Sequence, residues 1–246
     1  MWDEKGRGMA VERIVCLVAA AGRGKRFGRD VPKSFHPVGG KTLLALSIER
    51  LSAWEGISEY VVMVPSGWEE KASEELARVA PDLDTRVLVG GETRSESVSI
   101  GLGTIRKADL VIVHDACRPV VSAALIDRVV QAAREAGAAV PALQATETLG
   151  RLRDDSIEAT VPRDRVIGIQ TPQVFRYEVL KTAFDAADET IRKATDESSL
   201  VLAAGFPVRV VEGERWNIKV TVKEDLQILE SFLGGGRLEL PGRTED

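Results

Sequence analysis

The chain has 246 residues, 44% of them hydrophobic and 29% charged, enough to bury a full core without disulfides or structural metals. A net charge of −5 argues against general nucleic-acid binding, and two distant cysteines, Cys16 and Cys117, make no disulfide framework. With no secretory leader and no apolar run that could span a bilayer, a cytoplasmic protein without membrane or nucleic-acid partners is expected.

Residues 1–9 mix charges without an apolar region and read as a disordered tail; the following single domain is expected over 10–233. Ile14 to Val18 is a buried-strand pattern, and it ends in Ala19-Ala20-Ala21-Gly22-Arg23-Gly24-Lys25-Arg26-Phe27-Gly28, continuing to Val31-Pro32-Lys33. Gly22 and Gly24 permit a tight turn, and Arg23, Lys25, Arg26, Arg29 and Lys33 crowd positive charge around it, which suits a polyphosphate. The glycines fall as G-x-G-x-x-x-G, one residue off a dinucleotide fingerprint, and no Walker loop pattern occurs.

Leu44, Ile48 and Leu51 give Lys41 to Trp54 the stripe of an amphipathic helix, and Tyr60 to Val64 is a second strand. Ser66 and Glu69 form a possible capping box for a helix towards Val79, and Thr85 to Val89 is a third strand. Gly90-Gly91-Glu92-Thr93-Arg94-Ser95-Glu96-Ser97-Val98 is then a glycine turn opening a helix, a ready place for polar ligand groups. Leu110 to Val113 ends in His114-Asp115-Ala116-Cys117-Arg118-Pro119. There Asp115 can hold Mg²⁺ and Arg118 can grip a phosphate, while His114 and Cys117 read as packing residues.

Ser122 caps a helix carrying Ile126, Val129, Val130 and Ala133, and Gly137 ends it. The alternation of strands and helices predicts an α/β fold: a largely parallel, Rossmann-like sheet with helices on both faces. Residues of about 144–170 are more polar, and two alternating runs about Arg153-Asp154-Asp155-Ser156 predict a projecting β-hairpin arm. Such an arm lacks burial of its own, so a homodimer that covers it is expected. Past it come Thr171-Pro172-Gln173, a helix from Glu178 to Asp188, and Thr195-Asp196-Glu197, which starts a helix capped by Asp196 or Thr195. A strand follows from Pro207 to Val211. Trp216-Asn217-Ile218-Lys219-Val220-Thr221 leads into a last helix with Thr221 and Glu224 as capping box, and 234–246 is expected to be disordered.

The ordered set Ala20-Ala21-Gly22-x-Gly24-x-Arg26, Pro32-Lys33, Gly90-Gly91-Glu92-x-Arg94-x-x-Ser97-Val98, His114-Asp115-x-x-Arg118-Pro119, Thr171-Pro172-Gln173, Thr195-Asp196-Glu197 and Asn217-Ile218-Lys219-Val220-Thr221 resembles the 2-C-methyl-D-erythritol 4-phosphate cytidylyltransferases from about Ile14 to Phe232. The resemblance implies transfer of CMP from CTP to that polyol phosphate with release of pyrophosphate, with Mg²⁺ as cofactor and a homodimer through the arm. It implies that Arg26, Lys33 and Lys219 are catalytic, facing the triphosphate. It places Ala20, Ala21, Gly22, Gly24, Gly91, Glu92 and Ser97 at CTP, and Asp115, Arg118, Thr148, Arg163, Thr171 and Thr195 at the polyol phosphate. Asp115 would lie near the metal, and Thr148 and Arg163 would reach the partner's site. Gln144-Ala145-Thr146-Glu147-Thr148 departs from the Pro-Val-x-Asp-Thr pattern with which the family's arm commonly begins. Rival readings are a ribitol 5-phosphate cytidylyltransferase and a non-catalytic nucleotide-binding regulator on the same scaffold. Too few residues follow Leu233 for a second catalytic domain to be expected within this sequence.

Overall fold

A computed structural model describes residues 12–22, 31–187 and 194–234. Gly24, Arg26, the expected tail 1–9, Asp188 at the expected helix end, and residues 235–246 of the expected C-terminal tail lie outside them. In chain order, Ile14–Ala19 is β1, and a two-stranded ribbon of Pro37–Val38 (β2) and Lys41–Thr42 (β3) precedes helix Leu43–Ser52 (α1). Glu59–Val64 (β4), Glu69–Val79 (α2), Thr85–Val89 (β5), Arg94–Gly103 (α3) and Leu110–Asp115 (β6) follow. The parallel heart of the sheet is ordered β5-β4-β1-β6.

Alternation along β1 builds three layers. Ile14, Cys16 and Val18 face Leu44 and Ile48 of α1, Leu76 of α2, and Ile126 and Val130 of Ala123–Ala136 (α4). Val15 and Leu17 face the other way, onto Val98 of α3, Leu180 of Tyr177–Ala186 (α5) and Val201 of Glu197–Ala203 (α6). Helices therefore cover both faces, as expected.

Beyond β6 the sheet becomes mixed. Gln173–Arg176 (β11) runs antiparallel between β6 and Ala138–Gln144 (β7). Ile167–Ile169 (β10) adds antiparallel to β7, and Arg209–Glu212 (β12) pairs β7 in parallel. β7 was not expected from the sequence. Its alanines and Pro141 are depleted in strands, and neighbours on both sides stabilise it instead of propensity.

The arm is the hairpin Leu149–Arg153 (β8) with Ser156–Val161 (β9), turning at Asp154 with φ +49°. It is shorter than 144–170, because Gln144 and Ile167 pair within the main sheet. Two expected caps are corrected. Gly67 takes φ +85° between Ser66 and Glu69, which turns Ser66 away, and α2 starts at Glu69 with Trp68 at its N-cap position and no side-chain cap. At Lys223–Leu233 (α7) it is Asp225, not Glu224, whose Oδ2 accepts from the Thr221 and Val222 N–H groups at 2.6 and 3.0 Å. The N-cap lies one residue later than expected, at Val222, so the first-turn carboxylate shifts with it from 224 to 225. Ser122 and Asp196 cap α4 and α6 as expected, and Gly137 closes α4 at φ +87°.

Candidate active site

β1 lies between β4 and β6, so the strand order reverses at β1 and β6, and a crevice opens at their carboxyl ends. Ala19 and Asp115 are register partners there. The Ser34 hydroxyl donates to the Ala20 carbonyl at 2.8 Å, and the Ala20 N–H donates to the Met63 carbonyl at 2.8 Å, which ties the first loop to the neighbouring strand. A Cβ at Gly90 would lie 2.4 Å from Ala21 Cβ and 2.8 Å from Ser97 Oγ, so the loop after β5 closes on the first loop only as glycine. Thr93 and Glu96 then form a reciprocal capping box at the start of α3. The Ser97 hydroxyl accepts from Gly91 N–H at 3.0 Å and donates to the Thr93 carbonyl at 2.9 Å. It lines the crevice chiefly by shaping the glycine turn.

Charge converges on Asp115. Its Oδ1 accepts from Arg94 Nε at 2.6 Å, and its Oδ2 pairs with Lys219 Nζ at 2.6 Å. Arg94 Nη1 reaches both oxygens of Glu197 at 2.6 Å, and that carboxylate is fully buried. Burial alone would raise the Asp115 carboxyl, but Arg94 and Lys219 hold it well below the usual carboxylate range. Burial pushes the Glu197 carboxyl up against the pull of Arg94. Burial also pushes the Cys117 thiol up to about 11, against Lys33 beside it, so it is an unreactive thiol at neutral pH.

Below this lies a hydrogen-bonded floor. Thr171 Oγ1 accepts from Asp115 N–H at 3.2 Å and donates to His114 Nδ1 at 3.2 Å, leaving Nε2–H to donate to the Arg118 carbonyl at 3.1 Å. Burial lowers the His114 pKa to about 4, so the ring is a neutral packing group, as expected. Arg118 Nη1 donates to the Asn217 carbonyl at 2.7 Å, and Asn217 Nδ2 donates to the Thr171 carbonyl at 2.8 Å.

Two of the cavities that border this network share Arg94, Asp115 and Lys219. One of about 170 Å³ is lined by Ala20, Ala21, Gly22, Lys33, Gly91, Glu92 and Ser97, which gathers the described residues expected at CTP. A neighbouring one of about 300 Å³ is lined by Arg118, Thr171, Thr195, Gln170 and Asp196. Thr148 and Arg163 line neither: both are exposed on the arm's base, where Arg163 Nη1 donates to the Thr146 carbonyl at 2.5 Å. Sequence reasoning missed Arg94 and Glu197 as site residues although both stand in the quoted motifs. Nothing in their types says that the two, far apart in sequence, would meet.

A match to the family described as 2-C-methyl-D-erythritol 4-phosphate cytidylyltransferase (IspD) covers residues 14–235. A bifunctional enzyme IspD/IspF from Anaeromyxobacter dehalogenans is 40% identical over 226 residues, 90% of this chain. The chain spans only 57% of that protein's length. The 2-C-methyl-D-erythritol 4-phosphate cytidylyltransferase of Bacteroides thetaiotaomicron is 37% identical over 221 residues, covering 88% of this chain and 98% of that one. The crystal structure of the Thermus thermophilus protein of the same name is 36% identical, with a TM-score of 0.73 and coverage of 89% and 98%. Matched along nearly all its described length, and nearly end to end with single-function relatives, the chain belongs to the 2-C-methyl-D-erythritol 4-phosphate cytidylyltransferase family.

Proposed function

We propose that the chain transfers CMP from CTP to 2-C-methyl-D-erythritol 4-phosphate and releases pyrophosphate. The observation that carries this reading is the pair of cavities sharing Arg94, Asp115 and Lys219, with Lys33 on one side and Arg118 on the other. Two anionic reactants need adjoining sites with fixed positive charge at the seam, and this crevice supplies both.

An oxygen of the polyol's phosphate attacks the α-phosphorus of CTP. The new P–O bond forms as the bond to the bridging oxygen breaks in line, and pyrophosphate leaves with the electron pair. The attacking oxygen is already ionised at neutral pH, so no general base is required, consistent with a neutral His114 buried beneath the site. Lys33 and Lys219 stabilise charge on the α-phosphoryl oxygens and leaving group, and Arg118, held through Nη1 by the Asn217 carbonyl, orients the incoming phosphate.

For Mg²⁺, the chain offers Asp115 at the seam, and both its oxygens are in ion pairs. Among the described residues no three His, Cys, Asp or Glu side chains gather into a metal site. This donor set fits an ion carried mainly by the triphosphate, for which Asp115 would be the protein's carboxylate. Such an ion would neutralise triphosphate charge.

The arm supports a homodimer. Leu152 and Ile157 pair across its strands and are 71% and 75% exposed, an apolar surface that a second copy would cover. Thr148 and Arg163 would then act in the partner's cleft, and the enzyme would work in the cytoplasm; no helix of the described residues is long and apolar enough to cross a membrane.

The test is pyrophosphate release with Mg²⁺ and CTP, run beside 2-C-methyl-D-erythritol 4-phosphate and ribitol 5-phosphate. Release with the first alone is expected. Release with ribitol 5-phosphate alone would transfer the protein to the other polyol, and CTP binding without release from either would make it a regulator.

A further inference from the structure

The chain Glu197–Arg94–Asp115–Lys219 joins four separate segments by 2.6 Å contacts: the first turn of α6, the first turn of α3, the end of β6 and the approach to α7. Its ends differ. Glu197 is fully buried and meets Arg94 with both oxygens, whereas the Lys219 side chain is 38% exposed, with Asp115 as its ion-pair partner. Arg94 Nη2 is hidden from solvent with no hydrogen-bond partner among the described residues. Leaving such a donor buried and unpaired is destabilising. A pair selected for stability alone would have satisfied it; here the two carboxylates fix the guanidinium plane in spite of that cost.

We propose that Glu197 and Arg94 are positioning residues for the transfer: Glu197 anchors the Arg94 fork, which holds the Asp115 carboxylate between the two cavities and leaves Lys219 free to exchange onto a substrate phosphate. Glu197 lines neither cavity, and Arg94, though it borders both, commits Nε to Asp115 and Nη1 to Glu197, so the pair acts through Asp115. The inference rests on the transfer reaction proposed above. It adds that α6, on the polyol side, and α3, on the nucleotide side, are locked in register by one buried ion pair.

The experiment is Glu197→Gln, which keeps the side chain's size but removes its charge, beside Glu197→Asp, Arg94→Lys and the Arg94→Lys/Glu197→Gln double variant. Expected for Glu197→Gln is a kcat lower by about tenfold to a hundredfold, the scale of a misplaced reacting group, with CTP affinity at equilibrium within about twofold of wild type. Glu197→Asp should recover part of the loss. The double variant should be little worse than the poorer single, because the two residues act as one unit. A Glu197→Gln enzyme with wild-type kcat and KM, even if its melting temperature falls, would overturn the proposal and leave the pair structural. Wild-type turnover in the same assay tests the underlying reaction separately. If wild type were silent, crystal structures would still decide the link: Arg94 remaining 2.6 Å from Asp115 in Glu197→Gln overturns it, and Arg94 leaving Asp115 supports it.

Discussion

Each end of the sheet holds a buried carboxylate between two cations. At the amino ends of the strands, Glu59 accepts from Arg13 at 2.6 Å and from Arg86 at 2.5 Å, tying β4 to β5 and to the entry of β1. At the carboxyl ends, Asp115 stands between Arg94 and Lys219 at the same spacing, and both carboxylate side chains are 7% exposed. The surroundings separate them. Arg13 also donates to the Lys107 carbonyl, and its N–H to Asp109, so the amino-end charges are consumed in holding strands together. Around Asp115, Lys33 and Arg118 add cations facing cavities. A closed network holds the fold, and a network with positive charge to spare recruits anions.

The largest effect should come from the open end. Lys33→Ala removes one preorganised donor, so kcat should fall about 10²–10³-fold, or roughly 2.7–4 kcal/mol, with the melting temperature little changed. Steady-state kinetics with calorimetry checks this, and near-wild-type turnover would end the charge-stabilisation mechanism. Arg163→Ala should raise KM for the polyol phosphate. Mixing it with Lys33→Ala chains should restore about one working site per mixed dimer if the arm acts in trans; a mixture without rescue would refute a shared site.

Next in size is acid lability at the same end. His114 titrates near 6.5 when unfolded and is lowered to about 4 by burial, so the unfolded state binds its proton first. Its contribution is therefore present above about pH 6.5 and is lost as pH falls through about 4, roughly 3 kcal/mol in all. Urea unfolding between pH 7 and 4 should show this slope, and His114→Gln should flatten it. An unchanged slope in that variant would assign the lability elsewhere.

What could be read beforehand follows the same division. Strands β1, β4 and β6 announce themselves because runs such as Leu110 to Val113 are buried on both faces, and the motifs at the ends of β1 and β6 mark the crevice. Ser122 and Asp196 are legible caps because capping is local. Ser66 is not, because the positive φ of Gly67 intervenes. β7 and the Glu197–Arg94 pair were illegible for one reason: an alanine-rich strand and a buried ion pair are both decided by segments far away in sequence.

The smallest effects should separate burial from geometry within the amino end itself. Arg209 and Glu135 are 2.5 Å apart, the same spacing as Arg86 and Glu59, but Glu135 is 69% exposed where Glu59 is 7%. Water competes for the exposed pair, and ordering two long side chains offsets most of its attraction, so Glu135→Ala should cost no more than about 0.5 kcal/mol. Glu59→Gln should cost about 2 kcal/mol: it removes charge-assisted hydrogen bonds from two partners, both of which can still reach water because Arg13 and Arg86 are 45% and 39% exposed. Neither variant should change kcat. Denaturant unfolding of the two, each beside its kinetics, tests whether stability tracks burial and not contact distance. Equal losses would mean that the spacing alone sets the worth of these pairs, and a fall in kcat for Glu59→Gln would mean that the two ends of the sheet are not independent.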